Sequence, residues 1–177
     1  MHDLQLKSRS NGSCLILIAV LVSVFVSTGC DSAHKPSPIP AGSTLEVHAL
    51  AATGTPNAIS LADPKTGESL LLELLPVVAT ADVATVERSK LEIESLDGSP
   101  AILQPALNVV LTPEGAARLL KATTALQGQT IAVVIDGKIV STPRVIVPIN
   151  GSFRISSDVS DVAFVTAIES ITGNATP

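Results

Sequence analysis

The stretch that most constrains the fold is Thr130–Ile135, apolar after its first residue and followed at once by Asp136-Gly137 and Lys138-Ile139-Val140. Asp-Gly tolerates positive φ at both positions, the requirement of a two-residue hairpin turn. An uninterrupted apolar strand of this kind must be covered on at least one face. The cover lies immediately upstream. Thr112 can cap free amides, Pro113 suits a first helical position because it needs no N–H, and Glu114 favours the positive end of the helix dipole. Ala116, Leu119, Leu120 and Thr123 then recur at i, i+3, i+4 and i+7, with Arg118 and Lys121 outward, until Gly128 stops the helix. Gly115 costs about 1 kcal/mol relative to Ala inside a helix, so a close backbone approach is expected there.

The flanking segments supply more strands. Thr44–Leu50 alternates, with Leu45, Val47 and Ala49 on one face and Glu46 and an exposed His48 on the other. Ala58–Ala62 and Ser69–Leu75 are joined by a turn at Asp63–Gly67, and Pro76 interrupts the second run. Lys90–Leu96 sets Leu91 and Ile93 against Glu92 and Glu94 and ends at Asp97-Gly98-Ser99-Pro100. Ala101–Leu111 returns as a long strand that holds Pro105 near an edge or bulge. Pro143 and Pro148 break pairing along Arg144–Val147. Gly151–Ser156 is a short strand with Phe153 and Ile155 inward. A last helix opens at Asp158, with Asp161 in its first turn and Val162, Phe164, Val165, Ile168 and Ile171 as its apolar face, and Gly173 ends it. The class expected is α+β: an antiparallel or mixed β-sheet with two α-helices packed on one face, in a single domain over 44–173.

The N-terminus reads as an address. Lys7 and Arg9 precede an apolar run, Cys14–Val26, of 13 residues, short of the ~20 that a spanning helix needs and suited to a signal-peptide core. It ends in Ser27-Thr28-Gly29-Cys30, which resembles the lipobox of bacterial lipoprotein signal peptides, with Ser27 where Leu is usual. The resemblance implies a signal peptide over 1–29, cleavage after Gly29 and acylation (palmitate among the chains) at Cys30. The protein would then be lipid-anchored on the extracytoplasmic side of the cell envelope, on the periplasm side where there is one. Asp31–Ser43, rich in Pro and Ser, reads as an extended tether following the lipidated Cys over 30–43, reaching up to ~40 Å at ~3.1 Å per residue. His34 and Lys35 lie in it as solvated residues.

Composition narrows function. Net charge is -5, with 11 Lys+Arg against 16 Asp+Glu, so no basic face suits nucleic acid. Only 2% of residues are aromatic, which removes base-stacking platforms. Cys14 would leave with the signal peptide and Cys30 would carry lipid, leaving no thiol for a disulfide or zinc site. No cofactor and no metal site are expected, and no catalytic residue. His48 lacks a nucleophile partner, and Glu92 and Glu94 read as a solvated strand face rather than an acid/base pair. A sheet edge along Pro143, Arg144, Val145 and Val147 would suit an extended peptide, because Pro blocks self-pairing there.

One family carries this order of elements. Thr112-Pro113-Glu114-Gly115-Ala116, then Ile131–Ile135 into Asp136-Gly137-Lys138, Ser141 and Pro143, Pro148-Ile149-Asn150-Gly151 and Ile155-Ser156 resemble the head subdomain of the first periplasmic domain of SecD/SecDF, over about 75–172. Pro76–Val83 resembles its lead-in segment. SecD belongs to the bacterial protein-export machinery. The resemblance implies a non-enzymatic interaction module for protein export (protein translocation) or envelope biogenesis, whose partners are the membrane, exported polypeptides, and translocase or envelope proteins. The family's proton-using transmembrane helices and its base subdomain have no counterpart in the sequence after residue 30, so a stand-alone lipoprotein form is expected. The alternative is an envelope enzyme or small-ligand-binding protein whose site the sequence does not display.

Overall fold

The chain divides into Met1–Asp31 and Ser32–Pro177. The structure, a computed structural model, describes residues 35–94, 100–158 and 160–173, all within the second unit. The expected signal peptide, Cys30, His34 and most of the turn at Asp97-Gly98-Ser99-Pro100 lie outside the described residues.

Among the described residues eight strands and two α-helices follow the order β1 (Leu45–Ala49), β2 (Ile59–Ala62), β3 (Ser69–Leu72), β4 (Val83–Ile93), β5 (Ile102–Leu111), α1 (Pro113–Ala125), β6 (Ile131–Ile135), β7 (Lys138–Ser141), β8 (Ser152–Ser156) and α2 (Val162–Thr172), with a single 3-10 turn at Thr80–Asp82 before β4. The class is α+β with antiparallel pairing throughout. Instead of one sheet there are three ladders, ordered β1-β6-β7, β2-β3 and β4-β5-β8. The reason lies in β6, whose five residues are all buried. Ile131, Val133 and Ile135 face the main core, while Ala132 and Val134 pack with Leu72 and Ile139 under the β2–β3 hairpin. A strand apolar on both faces needs two layers of cover, and the hairpin is the second.

The main core fills the space between β1-β6-β7 and β4-β5-β8. Leu45, Val47, Val86, Leu107, Val109 and Ile155 meet there with Leu119 of α1 and with Phe164, Ile168 and Ile171 of α2. Thr112 caps α1, accepting from the Gly115 amide at 3.1 Å. Asp161, not Asp158, caps α2, accepting from the Phe164 amide at 2.9 Å. Phe164, Ile168 and Ile171 form its buried stripe, whereas Val162 falls outside it and is exposed.

Strand β4 starts seven residues earlier than its alternation suggested. A bulge between Val83 and Thr85 puts Val83 and Val86 on the core side although they are three apart, which breaks the period of two. Pro105 pairs with Lys90 just past the last β5–β8 pair, Ala106 with Ser156, where its missing N–H costs nothing. Asp136 and Gly137 turn the β6–β7 hairpin at φ 48 and 74. Asp136 also accepts from the Thr44 amide at 2.8 Å and from the Ser170 hydroxyl at 2.9 Å, tying the turn to the start of β1 and to α2.

The later part of the expected tether is docked on the fold. Ser37 exchanges two backbone hydrogen bonds with Val86 on the outer edge of β4, at 3.0 and 2.8 Å. Ile39 packs on the main core. Residues 37–43 therefore belong to the folded unit, and the reach available to any anchor shortens accordingly.

Candidate functional site

Two sheet edges end near each other. β7 is the terminal strand of β1-β6-β7 and β8 the terminal strand of β4-β5-β8. A cleft of about 250 Å³ lies between Ser141 at the end of β7 and Phe153–Ser156 of β8. Its floor is the buried core itself, with Val47, Leu119, Ile131 and Val133. Pro143, Ile149 and Arg154 stand at its rim.

The hydrogen-bond parity of β8 follows from its ends. Leu111 donates to the Gly151 carbonyl at 2.9 Å and Ser157 to the Pro105 carbonyl at 3.3 Å. In an antiparallel pair these closely bonded partners recur every second residue, so Phe153 and Ile155 bond to Val109 and Leu107. The N–H and C=O groups of Arg154 and Ser156 then point away from β5, toward the unpaired edge above the cleft. The Ser152 amide is taken by the Asn150 carbonyl at 3.0 Å. The Arg154 side chain is held aside by Asn108, its Nε donating to Oδ1 at 2.6 Å.

This arrangement corrects the edge expected at Pro143–Val147. Pairing does not break there. The Pro143 carbonyl accepts from the Ile131 amide at 3.0 Å, and Val145 both donates to the Gln129 carbonyl and accepts from the Gly128 amide at 2.8 Å. Val145 is 2% exposed and part of the main core. Arg144 is bonded through Nε to the Gly128 carbonyl at 2.8 Å. Pro residues block pairing only through their own amide, and the carbonyl of Pro143 remains an acceptor. Ile146 and Val147 do stand exposed, at 69% and 63%. Of the four residues expected to form the edge, Pro143 alone lines the cleft. Ser141, Ile149 and Ser156 carried the family resemblance and Arg154 did not, but nothing marked any of them as lining a cleft, since alternation shows which face a side chain takes and not which strand edge is left unpaired.

His48 is a second correction. It is 2% exposed rather than solvated, because the chain after β3 covers its face. Its Nδ1 lies 2.8 Å from the Glu73 carbonyl and its Nε2 lies 3.2 Å from Glu46 Oε2. Glu92 and Glu94 are exposed, and Glu92 stands opposite Leu103. Among the described residues no group of three or more His, Cys, Asp or Glu is placed to hold a metal, and no helix is long and apolar enough to cross a membrane. A second cavity, of about 280 Å³, lies between Leu61, Lys138–Val140 and the start of α2. Both volumes lie close to the lower end of the roughly 300–1,000 Å³ typical of sites for small molecules.

Residues 61–163 match the family model described as SecDF, P1 head subdomain. Two solved structures are similar. One is of SecDF, described as a membrane component that enhances protein export: identity is 19% and the TM-score 0.46, over 73% of this chain and 60% of that one. The other is of SecDF in a super-membrane-facing form, with 20% identity and a TM-score of 0.46, over 73% of this chain and 18% of that one. The chain thus spans less than two thirds of either. No curated protein is a significant match.

Proposed function

The chain belongs to the SecDF P1 head subdomain family, and on that premise we propose that it is a non-enzymatic module that holds extended polypeptide during protein export, tethered by lipid at Cys30 to the extracytoplasmic side of a bacterial membrane. Family membership supports the export-related role. The observation that carries the contact is the outer edge of β8, which no other strand pairs among the described residues, above an apolar cleft. An incoming strand can bond to the outward backbone groups of Arg154 and Ser156 and seat one apolar side chain in the cleft. Backbone bonding is indifferent to sequence, which suits clients of many sequences, and the single side-chain pocket adds a preference for apolar residues.

The anchor reading rests on the small residues before Cys30, with a signal peptide over 1–29 and the module over 44–173, on which residues 37–43 are docked. The partners proposed are the membrane, exported polypeptides, and translocase or envelope proteins. A structural role for His48 supports the non-enzymatic reading, since both ring nitrogens have partners within 3.2 Å. The test is binding of the purified protein to an unfolded secretory polypeptide. Ser156→Pro removes one outward N–H and leaves the bonds of Phe153 and Ile155 to β5 in place. Loss of one hydrogen bond should weaken binding up to about tenfold with the melting temperature nearly unchanged. Undiminished binding would overturn the β8 assignment.

A further inference from the structure

On the outer face of the β4-β5-β8 sheet, Asn108 of β5 sits between two opposite charges. It stands across from Arg154 of β8 on one side and from Glu87 of β4 on the other. Its Oδ1 accepts from Arg154 Nε at 2.6 Å, and its Nδ2 donates to Glu87 Oε2 at 3.3 Å. The asparagine therefore orients the guanidinium and spaces it from Glu87. Arg88 and Arg118 are paired directly with Glu169 and Asp82, whereas no carboxylate pairs directly with Arg154 among the described residues. Arg154 is exposed, so a fixed positive charge stands at the edge of β8.

The register of β8 decides which residue of an incoming strand meets that charge. Arg154 and Ser156 turn their backbone N–H and C=O groups outward and would form the hydrogen-bonded pairs, which leaves the strand residue between those pairs facing Ile155. Ile155 points into the main core, so the side chain facing it enters the apolar cleft. Side chains alternate along a strand. The two neighbours of the seated residue therefore lie on the outer face, one opposite Arg154 and the other opposite Ser156. A carboxylate opposite Arg154 pairs with the guanidinium, and an ammonium there is repelled. Glu87 is three strand spacings from the incoming strand, roughly 14 Å, beyond the ~8 Å screening length at physiological salt. Arg154 is adjacent, so its charge decides.

We propose that Arg154 is a specificity-determining residue of the β8 edge, selecting extended segments that carry an acidic residue next to the apolar one seated in the cleft. This rests on the reading of that edge as the surface that holds polypeptide. The selection is local. The chain as a whole carries a net charge of -5 and at long range favours basic segments, so an acidic preference has to come from contact. A cross-strand charge pair at an exposed site is worth up to about fivefold in affinity over a neutral residue.

The experiment measures binding of the purified full-length protein to three extended peptides of one length. They differ only in the residues on both sides of a central leucine, which are glutamate, glutamine or lysine, so the test holds for either strand direction. Affinity is expected to fall in that order, with glutamate and lysine up to about tenfold apart at about 0.15 M salt. The three should converge at about 1 M salt, where the screening length shrinks to ~3 Å. Arg154→Gln keeps a side-chain donor for Asn108 and should lose the glutamate preference, and Arg154→Glu should reverse it. Equal binding of the three peptides, a preference for lysine, or a glutamate preference that survives Arg154→Gln overturns the role of Arg154 and leaves the β8 edge standing. Binding of none of the three overturns the edge reading and the selection with it.

Discussion

At Gly115 two opposing effects can be weighed. A methyl group there would gain about 1 kcal/mol in helix propensity. It would also meet the Asp82 Cβ and carbonyl oxygen, each at 2.7 Å. That carbonyl accepts from the Thr112 amide at 2.8 Å, and Asp82 is further held by accepting from the Ala79 amide at 2.9 Å and by an ion pair with Arg118. A fixed backbone atom cannot yield as a flexible side chain does, so the clash wins. Gly115→Ala is expected to destabilise the protein by about 1–3 kcal/mol in chemical denaturation, and unchanged or raised stability would contradict the close packing of α1 on the turn before β4. The helical glycine was a sufficient signal for a close approach, but not for its partner, since Asp82 is distant in sequence. His48 shows the converse. Its alternation with Val47 and Ala49 placed it on the correct face, yet whether that face is covered depends on Glu73 and the chain after β3, which no local pattern connects to it.

Among the elements, those with strong local chemistry were legible. The Thr112-Pro113 start of α1, the Asp136-Gly137 turn and the inward Phe153 and Ile155 of β8 all stand as their residue types demand. The segment after β7 did not, because proline there suggested a free edge while its carbonyl still pairs. Val145 makes the difference measurable. A lysine at this buried position leaves a charge without a partner, and Val145→Lys should cost more than about 3 kcal/mol of stability. Val147→Lys, at a position 63% exposed, should stay within about 0.5 kcal/mol. Denaturation midpoints of the two variants check this, and a stable Val145→Lys protein would restore the edge to Pro143–Val147. The start of β4 was hidden for a different reason, since the bulge at Val83/Thr85 erases the alternation that identifies a strand.

For the molecule as a whole, the sequence carried the class and the family through its motifs, while the division into three ladders depended on contacts between distant segments. Ala132 and Val134 are read as ordinary apolar strand residues until the β2–β3 hairpin is seen to cover them. The same holds for the strap at Ser37, whose composition matches a free linker although two backbone bonds fix it to β4. The outer edge of β8, the surface proposed to hold polypeptide, lies on the opposite side of that sheet. The most direct test is a photo-crosslinking residue placed at Ser156 in cells exporting protein, compared with one at the exposed Glu68 of the β2–β3 turn. Adducts with polypeptides in transit are expected from position 156 and not from position 68. Adducts from 68 alone, or none from 156 while polypeptides are in transit, would contradict the assignment of the β8 edge as the surface that holds them.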